Sequence, residues 1–291
     1  MATASQWIAG ARPRTLPAAV APVATGCGVA AAQDSFIAGR ALLALAVALA
    51  LQVGVNYAND YSDGIRGTDD VRVGPVRLVG QQLAEPRAVK RAALAALGVA
   101  AALGLLLVVL AQAWLWLLVG AAGIAAAWLY TGGPRPYGYA GLGEVFVFTF
   151  FGPVAVIGTA YVQTGAMSWL AVATSIPIGI LTALILIANN LRDIPSDRLV
   201  GKRTLAVVLG DAGTRTLFLV GAIVAYVIVL GVAVSHPGAL AGLAGAVPMA
   251  GAVRDVRGGA SGRSLIPVLG RTSMAVLLTG LGLGLGLALV G

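Results

Sequence analysis

Residues 56–70 read NYANDYSDGIRGTDD, and residues 189–203 repeat part of this pattern as NNLRDIPSDRLVGKR. The chain of 291 residues is 59% hydrophobic and has only 11 acidic residues, of which six lie in these two segments. Each segment follows an apolar stretch that is long enough to cross a membrane. Because charged groups are costly near hydrocarbon, their concentration here indicates a functional site. We call the two segments the first and the second acidic run.

Helical spacing groups the polar side chains of each run. Three of them are spaced three or four positions apart, which places them on one face of a helix: Asn56, Asp60 and Asp63 in the first run, and Asn189, Asp193 and Asp197 in the second. Two such faces, turned towards each other, form a pocket of carboxylate and amide oxygens. Clustered carboxylates repel one another unless a cation neutralises them. The alternative is an ordinary pair of charged loops beside membrane spans.

The ligand chemistry follows from the residue types in the two runs. Oxygen ligands without nearby Cys or His favour Mg²⁺ or Ca²⁺ over zinc. Mg²⁺ usually binds one or two carboxylates and completes its shell with water and substrate phosphate. Basic residues lie between the acids in both runs, where they can bind anionic oxygens. The pattern therefore indicates a site for a metal–diphosphate complex.

Composition sets the fold class. A mean hydropathy of +0.92 excludes an ordinary soluble domain, because polar groups could not cover such a surface. We predict an all-α, multi-pass membrane protein that forms a single domain over residues 1–291. Nine apolar stretches are long enough to span: residues 15–33, 41–62, 90–111, 113–131, 143–163, 168–191, 215–235, 238–253 and 271–290.

The basic residues predict the orientation of these spans. With nine spans, 18 of the 19 Lys and Arg fall on one side of the membrane, and Arg40 alone falls on the other. By the positive-inside rule the N-terminus and both acidic runs face the cytoplasm. The net charge of +8 then reflects topology, with anionic lipid headgroups as neighbours and no nucleic acid as a partner.

The acidic runs also suggest an internal duplication. Asp193 lies 133 residues after Asp60, and four predicted spans separate equivalent points. We therefore expect two four-helix halves, at about residues 15–131 and 143–253, followed by a ninth helix at 271–290.

A third segment, residues 130–139 with the sequence YTGGPRPYGY, follows the fourth predicted span. Its Gly and Pro residues favour a turn on the same side as the acidic runs. Its three Tyr and one Arg provide either aromatic walls and an anion-binding group for a site or interfacial anchors in a tight turn. The sequence leaves both interpretations open.

These three segments together resemble the UbiA superfamily of intramembrane aromatic prenyltransferases. The resemblance rests on residues 56–77, on the 130–139 loop with Gly141-Leu142-Gly143-Glu144, and on residues 189–206. The spacing of Asp60, Asp63, Gly67 and Asp69 is most similar to the branch that acts on 1,4-dihydroxy-2-naphthoate in menaquinone biosynthesis. One departure is Pro195, which removes a helix hydrogen bond in the second run.

The resemblance implies Mg²⁺-dependent transfer of a polyprenyl group from its allylic diphosphate to the naphthoate, with loss of CO₂, to give demethylmenaquinone. It implies a UbiA-like helical bundle in the bacterial plasma membrane, with membrane lipid around it and the site facing the cytoplasm. The implied metal ligands are Asn56, Asp60, Asp63, Asp69, Asp193 and Asp197, of which Asp60 and Asp193, with Lys202, are the implied catalytic residues. The implied diphosphate-binding residues are Asn59, Arg66, Arg77, Arg192, Lys202 and Arg203. The implied acceptor-binding residues are Tyr130, Arg135, Tyr139 and Asn190.

Two alternatives remain open at this point. Another member of the same superfamily would use a hydroxybenzoate, a haem, a chlorophyllide or a sugar phosphate as acceptor. A cation-coupled secondary transporter would also need carboxylates, although transport sites tend to lie near the membrane midplane and these acids lie at one face.

Overall fold

The computed structural model describes residues 2–67 and 76–290, and within these residues it is entirely helical. The α-helices are α1 (Ala4–Gly10), α2 (Pro17–Ala31), α3 (Ala38–Ile65), α4 (Pro86–Ala111), α5 (Trp116–Leu129), α6 (Gly143–Thr149), α7 (Ala155–Thr164), α8 (Trp169–Leu199), α9 (Leu205–Ser235), α10 (Ala246–Arg257) and α11 (Ile266–Val290). Short 3₁₀ segments cover Pro13–Thr15, Tyr137–Tyr139, Pro237–Gly245 and Gly262–Leu265, and a π-helical turn at Phe150–Val154 joins α6 to α7. The predicted all-α class is confirmed.

Seven helical stretches in the described residues are long and apolar enough to cross a membrane. Two further apolar helices, Pro17–Ala31 and Trp116–Leu129, are shorter. The expected count of nine spans is therefore not confirmed, but the chain is an integral membrane protein.

At both acidic runs the helix continues beyond the end of the predicted membrane span, as the helical spacing of the polar residues expected. The expected spans end at residues 62 and 191, whereas α3 continues to Ile65 and α8 continues to Leu199. Pro195 lies inside α8 and does not end it. Most of the described part of the first run and most of the second therefore lie on helices, and among the described residues only Arg66 and Gly67 of the first run and residues 200–203 of the second lie outside them.

Small residues allow the closest helix packing. A methyl group added at Gly28 of α2 would lie 2.3 Å from the carbonyl oxygen of Gly284 in α11. An added methyl group at Gly280 would lie 2.5 Å from the Cβ of Ala21. The glycine-rich end of α11 is thus a packing surface, as is common where membrane helices approach closely.

A single arginine ties the helix ends on the side opposite the acidic runs. Arg40, the only basic residue predicted there, donates to the carbonyl oxygen of Val162 at 2.9 Å and to that of Leu110 at 2.7 Å. Both carbonyls lie in the last turn of a helix, where they lack an intrahelical donor. Gln163 adds a link, since its side-chain oxygen accepts from the backbone N–H of Ile37 at 3.0 Å.

Candidate active site

A cavity of about 1130 Å³ lies within the bundle. Apolar side chains from α2, α3, α4, α5, α7 and α8 form most of its wall. The polar side chains of both acidic runs and of the segments that follow them also line it: Asn56, Asn59, Asp63, Arg77, Asn189, Asn190, Arg192, Asp193, Asp197 and Lys202. The predicted pocket between the two runs therefore exists, and it opens into an apolar chamber.

Asp63 is the meeting point of three distant segments. The Tyr139 hydroxyl donates to its Oδ1 at 2.8 Å, and the Lys202 Nζ lies 3.7 Å from the same oxygen. A guanidinium nitrogen of Arg77 lies 3.8 Å from its Oδ2. The Lys202 ammonium also lies 4.4 Å from the centroid of the Tyr139 ring, within cation–π range. Two cations thus surround one buried carboxylate at the cavity wall.

Asp60, one helical turn earlier, is fully buried and does not line the cavity. Its two carboxylate oxygens accept from the backbone N–H groups of Leu78, at 2.7 Å, and Val79, at 3.0 Å. These contacts fix the chain directly after Arg77, so Asp60 positions the Arg77 guanidinium near Asp63. The metal and catalytic roles predicted for Asp60 remain predictions, whereas its observed contacts are those of an anchor.

In the second run, Asp193 is held by its own neighbour. Arg192 donates to both oxygens of Asp193, at 2.6 and 2.8 Å, and also to the side-chain oxygen of Asn189 at 2.8 Å. Arg192 is buried, and all three side chains line the cavity. Asp197, one turn later, lies 3.5 Å from the Thr204 hydroxyl, and its carbonyl oxygen accepts from the N–H of Lys202 at 2.9 Å.

The two predicted asparagines of the first run have structural partners. Asn56 donates to the carbonyl oxygen of Ala11 at 2.9 Å and to the hydroxyl of Thr15 at 3.0 Å. The side-chain oxygen of Asn59 accepts from the Thr131 hydroxyl at 2.8 Å. Asp69, also a predicted ligand, lies outside the described residues.

The 130–139 loop is joined to both runs. The backbone N–H of Arg203 donates to the carbonyl oxygen of Tyr139 at 3.0 Å, and the Arg66 side chain donates to the carbonyl oxygens of Thr131 and Gly133. Tyr137 stacks on Phe146, and burial raises the pKa of Tyr137. The loop therefore lies beside the cavity and contacts both acidic runs, while its role in the reaction stays a prediction.

The structure separates the residues predicted from this loop and from the basic positions. Tyr130 and Tyr139 line the cavity, whereas Arg135 is exposed and does not line it. Arg66 and Arg203 are also exposed, and neither lines the cavity. The predicted diphosphate-binding residues that line the cavity are thus Asn59, Arg77, Arg192 and Lys202.

A sequence profile described as the UbiA prenyltransferase family matches residues 19–265. The chain belongs to this family. The 1,4-dihydroxy-2-naphthoate octaprenyltransferase of Mycobacterium tuberculosis is 54% identical over 288 residues, which cover 99% of this chain and 98% of that protein. The Escherichia coli protein of the same name is 40% identical, over 72% of this chain and 70% of its own length.

Solved structures share the UbiA fold with this chain. The apo structure of a UbiA homologue from Aeropyrum pernix superimposes with a TM-score of 0.71 at 17% identity, over 91% of this chain and 96% of that one. A UbiA homologue from Archaeoglobus fulgidus, bound to GPP and Mg²⁺, gives a TM-score of 0.69 at 13% identity, over 97% and 99% of the two chains. At these identities the likeness concerns the fold.

The donor set of this UbiA family member suits a hard cation. Among the described residues that line the cavity, the metal-binding atoms are carboxylate and amide oxygens, with no Cys or His. Within residues 2–67 and 76–290, no three His, Cys, Asp or Glu side chains converge to hold an ion by themselves. The residues therefore fit Mg²⁺ bound by one or two carboxylates with substrate oxygens completing its shell.

Several polar residues around the cavity were not predicted from the sequence. Gln52 lies in the middle of an apolar span and lines the cavity, as do Arg12 and Arg14 of the N-terminal segment. Glu144 is buried and accepts from the amide of Asn190 at 2.9 Å. An uncharged polar residue inside a membrane span is a recognisable signal, and Gln52 carried it.

Proposed function

We propose that this UbiA family member transfers a polyprenyl group from an allylic diphosphate to 1,4-dihydroxy-2-naphthoate, with loss of the ring carboxylate as CO₂, to give demethylmenaquinone in its hydroquinone form. The observation that carries the proposal is the arrangement around Asp63, where Arg77 and Lys202 meet a buried carboxylate on the wall of a largely apolar cavity. The name of the relative that is 54% identical over nearly the whole chain supports the same substrates.

The charged side chains of the cavity would neutralise the diphosphate leaving group. Diphosphate leaves readily only when its charge is neutralised, and Lys202, Arg77 and Arg192 provide positive charge at the cavity. Asp63, Asp193 and Asp197 would hold Mg²⁺, with Asn59 as a further oxygen ligand. The chemistry that Mg²⁺ supplies when bound is neutralisation of diphosphate charge.

The apolar wall would surround the prenyl group and exclude water from it. Breaking the C–O bond of an allylic diphosphate leaves a carbocation that water would capture, and hydrocarbon side chains exclude water. A cavity of about 1130 Å³ provides room for both a prenyl chain and an aromatic ring. The ring then forms the new C–C bond and loses CO₂ from its carboxylate.

We place the protein in the bacterial plasma membrane with the site facing the cytoplasm. The distribution of Lys and Arg supports this orientation. The single cysteine, Cys27, makes the orientation testable, since a Cys27→Ser background allows new cysteines to be labelled one at a time. A cysteine at Arg135, which is exposed beside the site, should react only from the cytoplasmic side of sealed vesicles.

The decisive experiment measures prenyl transfer by purified protein in liposomes, with a radiolabelled polyprenyl diphosphate and 1,4-dihydroxy-2-naphthoate. We expect a decarboxylated, prenylated product that disappears with EDTA. Asp63→Asn should lower kcat by about 10²- to 10³-fold, because the Mg²⁺ that Asp63 would hold neutralises the charge that develops on the diphosphate. Asp211→Asn is the matched control, because Asp211 is exposed, pairs with Arg215 and does not line the cavity.

Three outcomes would change the proposal. Product from a different aromatic acceptor alone would keep prenyl transfer and overturn the naphthoate assignment. Equal activity in Asp63→Asn and wild type would overturn the assignment of the site. Absence of transfer to any acceptor by folded protein would favour the transport alternative.

A further inference from the structure

We propose that Gln52 is a specificity residue of this site, and that its side-chain oxygen accepts a hydrogen bond from a ring hydroxyl of the aromatic acceptor. The inference rests on the proposed function, because it assigns one more part of the same cavity. Gln52 belongs to α3, lines the cavity and is only 6% exposed.

Hydrogen bonds fix the orientation of the Gln52 amide. The Thr15 hydroxyl donates its only proton to the carbonyl oxygen of Arg12, at 2.9 Å. Its oxygen must therefore be the acceptor in its other contacts, which are with Gln52 at 2.9 Å and Asn56 at 3.0 Å. Gln52 can meet that oxygen only with its NH₂ group, so its Oε1 is directed elsewhere.

The backbone that holds Thr15 is unusual. Arg12 has φ 54°, in the left-handed region that residues other than glycine rarely adopt, and it precedes the Pro13–Thr15 turn. Such conformations cost free energy and are concentrated at functional sites. Here the turn places the Arg12 carbonyl where it takes the Thr15 proton, which in turn orients Gln52.

The Oε1 of Gln52 is buried and accepts no hydrogen bond from the described residues. A buried acceptor without a donor is unfavourable, so a ligand that supplies a donor gains affinity there. A prenyl chain is pure hydrocarbon and has no donor. Of the two proposed substrates, only the hydroxylated ring can satisfy this oxygen.

The position of Gln52 along α3 favours contact with the aromatic ring over contact with the diphosphate. Gln52 precedes Asp63 by 11 residues, which corresponds to about 16 Å along a helix. A diphosphate held at Asp63 does not reach so far. The group that meets Gln52 therefore lies beyond the reacting carbon of the prenyl chain, on the far edge of the ring.

The test compares acceptors that differ by one hydroxyl. In full-length protein in liposomes, we would measure the Michaelis constant for the dihydroxynaphthoate acceptor and the competitive inhibition constants for 1-hydroxy- and 4-hydroxy-2-naphthoate. Inhibition constants require no turnover of the analogues. Wild type, Gln52→Met and Gln33→Met would be compared, since Met is similar to Gln in length and Gln33 is exposed and does not line the cavity.

We expect Gln52→Met to reduce the preference for the dihydroxy ring over one monohydroxy analogue by about 10- to 100-fold, the usual effect of losing one buried hydrogen bond. The KM for the prenyl diphosphate should stay within about twofold of the wild-type value, and so should the preference for the dihydroxy ring over the other monohydroxy analogue. A general loss of structure would change both quantities. Gln33→Met should match wild type. Thr15→Val, which releases the Gln52 amide, should shift the same preference in the same direction if Gln52→Met does not fold.

Two results are distinguishable. If wild type prenylates the naphthoate but Gln52→Met retains both preferences, the role of Gln52 is overturned and the proposed function stands. If wild type prenylates no aromatic acceptor, the proposed function fails, and this inference fails with it.

Discussion

Asp63 in the first acidic run and Asp193 in the second both line the cavity, but they are held in different ways. Asp63 contacts side chains from three other segments, whereas both oxygens of Asp193 accept from Arg192, the preceding residue in α8. The contacts described for Asp63 depend on the tertiary fold, whereas the contact between Arg192 and Asp193 lies within one helix. Lys202 and Arg77 lie 3.7 and 3.8 Å from Asp63, whereas Arg192 forms direct hydrogen bonds to Asp193 at 2.6 and 2.8 Å, so the Arg192 contact should contribute more to stability.

Loss of Lys202 should separate catalysis from stability. In Lys202→Met, Asp63 keeps Tyr139 and Arg77, so we expect the melting temperature to change little. The diphosphate loses one cation, and kcat/KM for the prenyl diphosphate should fall by about 100-fold. Prenyl transfer assays and thermal unfolding in detergent measure the two effects. A large loss of stability with normal activity would show that Lys202 is purely structural.

Loss of Arg192 should lower the stability of the protein in addition to its activity. Arg192→Met removes a buried guanidinium from a buried carboxylate, which costs about 3 kcal/mol of unfolding free energy. Chemical unfolding of purified protein measures this loss. Arg254→Met is the control, because the Arg254 side chain is exposed and its contact with Asp255 is 3.9 Å. Equal stability of the two variants would contradict the view that the second run is held locally.

Substitution of Asp60 tests whether diphosphate binding depends on the contact between the first run and the segment that follows it. Asp60→Ala removes both acceptors for the N–H groups of Leu78 and Val79, so Arg77 loses its fixed position. We expect the KM for the prenyl diphosphate to rise by about tenfold, the effect of roughly one lost ionic hydrogen bond. Asp60→Asn keeps one acceptor and should have a smaller effect. If Asp60→Asn instead removes all activity at every Mg²⁺ concentration, Asp60 acts as a ligand of Mg²⁺.

The smallest expected effect is at Tyr139. Tyr139→Phe keeps the ring beside Lys202 but removes the hydroxyl that donates to Asp63. One hydrogen bond is worth about 1 kcal/mol, so activity should fall by about fivefold. Tyr161→Phe is a control of the same type, since Tyr161 packs on Trp116 and does not line the cavity. Equal activity of both variants would remove Tyr139 from the set of residues that hold Asp63.

Sequence reasoning recovered the part of this molecule that depends on local spacing. Composition indicated the all-α membrane class, and the residue types and spacing of the two runs indicated the family. The helical spacing predicted for the polar residues of both runs agrees with the structure, in which α3 continues to Ile65 and α8 to Leu199, beyond the ends of the predicted spans. The proposed duplication into two four-helix halves stays a prediction.

The roles of individual side chains were less accessible. Spacing put Asp60 on the same helix face as Asp63, but the backbone after residue 76 binds Asp60 and leaves Asp63 at the cavity. Arg135 carried the charge expected of an anion-binding group, yet the turn directs it to the surface. Such choices depend on which segments meet in three dimensions, and local residue spacing does not show which segments meet.

The cavity has a cluster of polar side chains from the acidic runs and a mostly apolar wall elsewhere, and this contrast bears on the fate of the products. In the proposed reaction, the substrate with a charged diphosphate head and an apolar prenyl tail is cleaved, so that the head departs as diphosphate and the tail is transferred to the ring. The two products then prefer different phases, water and lipid. Their partition into separate phases would disfavour the reverse reaction without a conformational change in the protein.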